Sequence, residues 1–503
     1  MDENLPPLIQ ALLKPQRYPD GVLQVELVQT HISWVLLAGE FAYKIKKPLT
    51  LPFLDFGSLS KRQVCCLDEL RLNRRFAADL YLDVVGIFNT PQDPQWVGVG
   101  EPIEYAVKMR RFDESARLDR VCARGELATA HLSDLADTLV AFHATAAVAP
   151  PASRFGSARE VMVPARDNFE DLLKMLPDVQ LQTRLAALQA WTEAQFQQLA
   201  PLMEARKRAG HVRECHGDLH LANLVLIGDH VRMFDCIEFN EDLRWIDVAN
   251  EIAFTYVDLL AHDRPGLANG FVNEVWSRSG DYEAALVLRF YAVYRALVRA
   301  KVAAIRTTQT QGDDGDVVAH IVLAERVIAP PPVRLVITHG LSGCGKTVAS
   351  NALLQSDAHA STIRLRSDVE RKRLHGLRPM QHSGSATNAG IYANDAHLST
   401  YAYLRDLARR LLGAGWSVVV DAAFLKRADR DTFRALARET GASFSILAPR
   451  APPEVLRARI LARNALQRDA SEATLEVLEH QLQTLEPLGQ DENIYLTGEG
   501  TLA

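Results

Sequence analysis

Residues 340–347 read Gly340-Leu341-Ser342-Gly343-Cys344-Gly345-Lys346-Thr347, a full match to G-x-x-x-x-G-K-[S/T]. An apolar run, 333–338, stands before it, and a helix-compatible stretch opens at Lys346. Strand, glycine turn and helix in that order make a loop whose backbone N–H groups converge on an anion. The helix N-terminus adds partial positive charge. Gly340, Ser342, Gly343, Cys344, Gly345, Lys346 and Thr347 are therefore expected to cradle phosphate. Lys346 is expected to reach the β- and γ-phosphates of ATP, and Thr347 to ligate magnesium.

Outward from that loop, strands are expected at 333–338, 362–365, 417–420, 444–447 and 494–496, with helices between them. This alternation predicts an α/β domain with a parallel sheet covered on both faces. Asp421 ends the Val418-Val419-Val420 run, where a second magnesium-side carboxylate belongs. Ligands of such sheets bind beyond the carboxyl ends of strands, so Asp368 is placed to orient or deprotonate an acceptor hydroxyl. Ser367-Asp368 also suits a helix start. Arg459 and Arg463 are four apart on an expected helix and share a face, as a pair closing over a transferred phosphoryl group would.

A second constellation lies upstream. His216-Gly217-Asp218-Leu219-His220-Leu221-Ala222-Asn223 sets Asp218 and Asn223 at the spacing of H-R-D-x-x-x-x-N. Asp218 is expected to accept the proton of the attacking hydroxyl or orient it, and Asn223 to hold magnesium. Asp235, after the short apolar strand 231–234, is the other expected metal carboxylate. His216 is expected to anchor the loop and not to act as the base. Lys44, on the expected strand 41–46, is the choice for the α/β-phosphate contact; Lys46 on the same face is the alternative. Glu69, on the expected helix 61–77, is the candidate partner of that lysine. Residues 103–112 should form an adenine-binding hinge, and the phosphate-covering hairpin has only Gly39.

Residues 334–503 resemble the small-molecule P-loop kinases, the group of gluconate, shikimate, adenylate and polynucleotide 5′-kinases. In that group the acceptor binds near the position of Asp368 and lid arginines close on transfer. Cys344 departs from the usual serine or alanine. Residues from about 20 to 305 resemble the aminoglycoside phosphotransferase family of the protein-kinase-like fold, carried mainly by 216–223. Asp247 stands where that family has a structural aspartate. The order of the two resembles bacterial fusions of an aminoglycoside phosphotransferase-like domain to a P-loop ATPase. The resemblance implies an α+β bilobal kinase-like domain at 1–329, a proline linker at 330–333 and a P-loop kinase domain at 334–503.

Bulk properties agree with this reading. The 503 residues are 48% hydrophobic and 23% charged, with a formal net charge of -6. That charge gives no reason to expect tight nucleic-acid or membrane-surface binding. The acidic, proline-interrupted N-terminus is unlike a signal peptide, and six scattered cysteines without Cys-x-x-Cys suit a reduced compartment. A cytoplasmic enzyme is expected, using ATP and Mg²⁺ to phosphorylate small-molecule hydroxyls at two sites. Two alternatives stand beside it. In one, a domain serves as a nucleotide sensor that regulates the other. The Arg364–Arg378 cluster could instead serve a nucleic-acid 5′-hydroxyl kinase.

Overall fold

The computed structural model describes residues 5–19, 21–51, 54–310, 313–384, 390–466 and 469–492. The chain divides into two compact units: Met1–Pro177 with Gln189–Asp258, and Asp178–Leu188 with Leu259–Ala503.

The first unit contains an antiparallel sheet. Its strands run in the spatial order Val25–Gln29, Ser33–Ala38, Phe41–Lys46, Glu104–Arg110, Tyr81–Thr90 and Asp93–Gln95. Side chains alternate across it. Trp34, Leu36, Tyr43 and Ile45 pack into one core with Ile9 and Leu12 of the short helix Pro7–Leu12. The opposite face carries Val35 beside Lys44, Leu37 beside Ala42, and Ser33 beside Lys46. The helix Leu59–Ala77 starts where Ser58 Oγ accepts the Lys61 N–H (3.3 Å). It seats Cys66, Leu70 and Ala77 against Tyr81 and Val107. The arrangement is that of a kinase-like amino-terminal lobe. A helical part follows, with the 216–247 segment between helices Val179–Arg208 and Val248–Ala261.

Gly39 does not lie in the phosphate-covering position expected of it. It turns the chain between the second and third strands, whereas residues 30–32 join the first and second. Those two turns lie at opposite ends of an antiparallel sheet. The 30–32 turn uses no glycine: Thr30 Oγ1 accepts the Ser33 N–H at 2.9 Å.

The second unit holds the parallel sheet. Among the described residues its strands run Thr362–Arg366, Ser417–Asp421, Arg334–Thr338, Ser443–Leu447. Connections from Arg334–Thr338 and Ser417–Asp421 leave in opposite directions, which opens a crevice at their carboxyl ends. Residues 340–347 and Asp421 flank that crevice. The strand expected at 494–496 lies outside the described residues.

The expected boundary at 330–333 is displaced. Residues 259–329 group with the P-loop segment, and the reason is an unpaired sheet edge. Strand Thr362–Arg366 is outermost and presents free backbone groups. Asn273, on the helix Pro265–Ser279, satisfies two of them: its Nδ2 donates to Thr362 O (2.9 Å), and its Oδ1 accepts the Arg364 N–H (2.7 Å). Trp276 meets Trp416 edge-on at 6.0 Å, and Trp416 Nε1 donates to Ala285 O (2.9 Å). The helix Pro265–Ser279 was not evident from sequence because Gly266 and Gly270 lower its propensity. Both face Gln355 of the helix Lys346–Gln355, so closely that a Cβ at Gly266 would lie 2.1 Å from the Gln355 carbonyl oxygen. Helix also runs through 307–310.

Candidate active sites

In the first unit, the loop 216–223 is held from below by the helix Val248–Ala261. Glu251 accepts the N–H groups of His216 and Gly217, each at 2.9 Å. Thr255 Oγ1 donates to Leu219 O (2.6 Å), and Asp258 accepts the Leu221 N–H (2.7 Å). Burial alone would raise the Glu251 pKa, but His143, His216 and the Gly217 N–H pull it down to about 2. An ionised carboxylate on two backbone N–H groups is a strong anchor. Sequence reading missed Glu251. Asp247, expected as a structural aspartate, pairs through both oxygens with buried Arg206 (2.8 and 2.9 Å).

His216 is buried, and burial lowers its pKa. Its Nε2 lies 2.8 Å from Phe234 O, and its Nδ1 lies 3.3 Å from the Asp218 N–H. The ring therefore donates through Nε2 and joins two chain segments, an anchoring geometry. Asp218 keeps 36% of its side chain exposed. Asn223 turns its amide NH₂ onto Asp218 O and Oδ2, both at 2.9 Å, leaving its carbonyl oxygen as the acceptor available to a cation. The Phe234 N–H donates to Asn223 O (3.0 Å), which brings Asp235 beside this loop. Asp235 has φ 64°, and its N–H donates to Tyr81 Oη (2.9 Å). Asn223 and Asp235 supply oxygen ligands of the kind Mg²⁺ prefers, so the donor set fits that ion.

Both candidate lysines reach Glu69. Lys44 Nζ lies 2.9 Å from Glu69 Oε1 and also bonds Asp235. Lys46 Nζ lies 2.7 Å from Glu69 Oε2 and also bonds Glu238. Burial opposes the charge on Lys44, yet Asp235, Glu69 and Glu238 hold its pKa well above the ordinary lysine value. Burial likewise opposes the Glu69 charge, and the two lysines draw its pKa down to about 2. Glu238 was not anticipated. On the same face of the sheet, a cavity of ≈ 570 Å³ opens between Val28, Leu37, Gly39 and residues 110–114. It lies at the end of the strand Glu104–Arg110.

In the second unit, Gly340, Gly343 and Gly345 take φ of 140°, 84° and 99°. A Cβ on Gly343 would lie 2.9 Å from Leu456 O, so a side chain fits neither the angle nor the space. Lys346 Nζ donates to the carbonyls of Gly340 (2.9 Å) and Leu341 (2.8 Å). Buried Asp421 accepts from Ser350 Oγ at 3.2 Å. A cavity of ≈ 600 Å³ brings together Lys346, Thr347, Asp368, Asp421, Arg459 and Arg463. Arg459 bonds Gly343 O (3.4 Å) and Arg463 bonds Ala473 O (3.1 Å). Asp368 pairs with Arg371 at 2.9 Å. Burial works against its charge, but Arg371, Arg366 and Ser471 hold its pKa below the ordinary carboxylate value. A carboxylate held so low is a weak base and suits orientation of a hydroxyl better than its deprotonation. Cys344 is buried, with its Sγ 3.9 Å from Lys346 Nζ.

Gln481 was also missed. From the helix Leu475–Thr484, its side-chain oxygen accepts the Ser342 N–H at 2.8 Å, one of the backbone donors a phosphate oxygen would use. Nothing local in the sequence marks a glutamine 139 positions away as a neighbour of that loop.

Comparison with known proteins gives two family matches. Residues 117–288 match the phosphotransferase enzyme family, and residues 335–488 match an AAA domain family. An uncharacterized protein of Mycobacterium tuberculosis (strain ATCC 25618 / H37Rv) is 28% identical over 448 residues, covering 89% of this chain and 88% of the relative. Among solved structures, a choline/ethanolamine kinase family protein from Mesorhizobium loti is similar at 13% identity. That match covers 65% of this chain and 96% of that one, with a TM-score of 0.39. A putative kinase from Chloroflexus aurantiacus is similar at 21% identity over 33% of this chain and 86% of that one, with a TM-score of 0.26. Residues 117–288 are thus similar to the phosphotransferase enzyme family and residues 335–488 to an AAA domain family. No helix among the described residues is long and apolar enough to cross a membrane.

Proposed function

We propose that this chain, a phosphotransferase-family segment joined to a P-loop segment, is a bifunctional ATP- and Mg²⁺-dependent kinase of small-molecule hydroxyl groups, with one site in each domain. The observation that supports it best is the coexistence of two separately assembled constellations: Lys44, Glu69, Asp218, Asn223 and Asp235 in one unit, and Lys346, Thr347, Asp368 and Asp421 in the other.

In the first site, Lys44 binds the α/β-phosphates while Glu69 holds its ammonium. Asp218, kept in place by Asn223, orients the acceptor hydroxyl and takes its proton as the acceptor O–Pγ bond forms and the bond from Pγ to the β-phosphate oxygen breaks, releasing ADP. Asn223 and Asp235 would hold Mg²⁺, which when bound would supply neutralisation of the phosphate charge. In the second site, the N–H groups of 342–347 cradle the phosphates and Lys346 turns to the β- and γ-oxygens. Thr347 and Asp421 serve the metal, Asp368 orients the hydroxyl, and Arg459 and Arg463 bear on the transferred group.

The basic cluster at 364–378 supports a small acceptor over a nucleic acid. Arg364 and Lys372 are buried, Lys372 pairs with Glu472 (2.8 Å), and Arg373 pairs with Glu370. Cations engaged in this way form no open basic groove. The test is phosphate incorporation from labelled ATP into a mixed pool of hydroxyl acceptors. Asp218→Ala is expected to lower the first activity by about 10²–10⁴-fold, the range of a lost general base. Lys346→Ala is expected to lower the second by at least about 10²-fold. Unchanged incorporation in either variant would remove that site from the proposal.

A further inference from the structure

We infer that Lys46 is a positioning residue for the first site: by gripping Glu69 and Glu238 it leaves Lys44 alone free to turn from Asp235 to the phosphates of a bound nucleotide. This rests on reading that site as a kinase site. It assigns different tasks to two lysines that alternation along one strand makes equivalent.

Access separates them. The side chains of Lys46 and Glu69 are 0% exposed and that of Glu238 is 3% exposed, whereas Asp235, the second partner of Lys44, is 42% exposed. A phosphate approaching from Asp235 meets Lys44. To meet Lys46 it would have to displace two buried carboxylates. The Lys46 ammonium also lies 4.9 Å from the centre of the buried Phe56 ring, a cation–π contact that further fixes it.

The division of oxygens is the second argument. Each lysine holds one oxygen of Glu69. When Lys44 shares its charge with phosphate, Glu69 remains a buried carboxylate that needs a full counter-charge. Lys46 supplies it without moving. Lys46 also reaches Glu238, three residues beyond Asp235, and so ties the metal-side segment to the strand and to the helix Leu59–Ala77. The charged and titratable groups facing Glu69 are Lys44 and Lys46 from the strand, Cys65 and Cys66 from its own helix, Tyr81 from the strand Tyr81–Thr90, and Glu238 from the segment after His230–Met233. With Lys46 gone, burial dominates and Glu69 takes up a proton nearer neutral pH.

The experiment is calorimetric titration of the full chain with Mg²⁺ and a non-hydrolysable ATP analogue at about pH 8 and about pH 6. Lys346→Ala serves as background, so that only the first site reports. Lys46→Met is compared with Lys46→Met/Glu238→Gln, which removes the orphaned carboxylate should the single variant fail to fold. The background protein is expected to bind equally at both pH values. The Lys46 variants are expected to bind about tenfold more weakly at the higher pH and to regain part of that loss at the lower one, where protonated Glu69 no longer holds the Lys44 charge. A cooperatively folded Lys46 variant with background affinity and no pH dependence would overturn the inference. So would Lys44→Ala retaining affinity that Lys46→Met abolishes. No binding in the Lys346→Ala background itself would overturn the kinase reading beneath it, and is recognised before any change at Lys46.

Discussion

Gly217 has φ 88°, and a Cβ there would lie 2.7 Å from the Leu243 carbonyl oxygen. Neither the angle nor the contact tolerates a side chain. Gly217→Ala is therefore expected to shift the loop that carries Asp218 and to cost about 1–3 kcal/mol of stability, read by chemical denaturation; an unchanged midpoint would show that Leu243 moves aside freely. Two buried carboxylates of the same unit, Glu69 and Glu251, have pKa values drawn from 4.5 to about 2. A depressed carboxylate lends stability above its unfolded value, and that stability is lost as pH falls toward the folded one. The first unit is thus expected to weaken between about pH 4.5 and about pH 2, followed by hydrogen exchange in residues 216–223; protection unchanged across that window would contradict the assigned charges. Asp218, Asn223, Lys44 and Glu69 were legible because their spacing or alternation is local. Glu238 was not, since its bond to Lys46 spans 192 positions, and Gln481 was hidden for the same reason.

At the scale of elements, the helix Pro265–Ser279 decides how the P-loop sheet ends. Asn273 gives the outer strand the two hydrogen bonds that a neighbouring strand would have made. Asn273→Ala leaves the Thr362 carbonyl and the Arg364 N–H buried without partners, a loss of about 1–3 kcal/mol. The expected readout is a lower denaturation midpoint with no change in unfolding cooperativity; a midpoint within error of the parent would mean that water replaces the amide. The alternation of strand and helix after residue 333 was readable because each strand is a short apolar run. The edge-capping helix was not, because Gly266, which admits the backbone of Gln355, and Gly270, which admits its side chain, look like turn residues when read alone.

At the scale of the whole chain, the prolines at 330–332 mark the end of the helix Gly315–Ile328; they do not mark the division between compact units, which falls after Asp258. A fragment beginning at residue 334 lacks Asn273, Trp276 and Tyr282, whose hydroxyl donates to buried Glu370 at 2.9 Å. It is expected to be less stable than one beginning at residue 259, as read by thermal unfolding; equal stability would show that these helices are dispensable. The central claim is that two sites transfer phosphate independently. Its most direct test is a mass comparison of metabolites that gain a phosphate when cell extract, ATP and Mg²⁺ are incubated with the parent chain, with Asp218→Ala, and with Lys346→Ala. Two sets of products, one lost in each variant and the other kept, are predicted. A single set abolished by one variant and untouched by the other would contradict the claim.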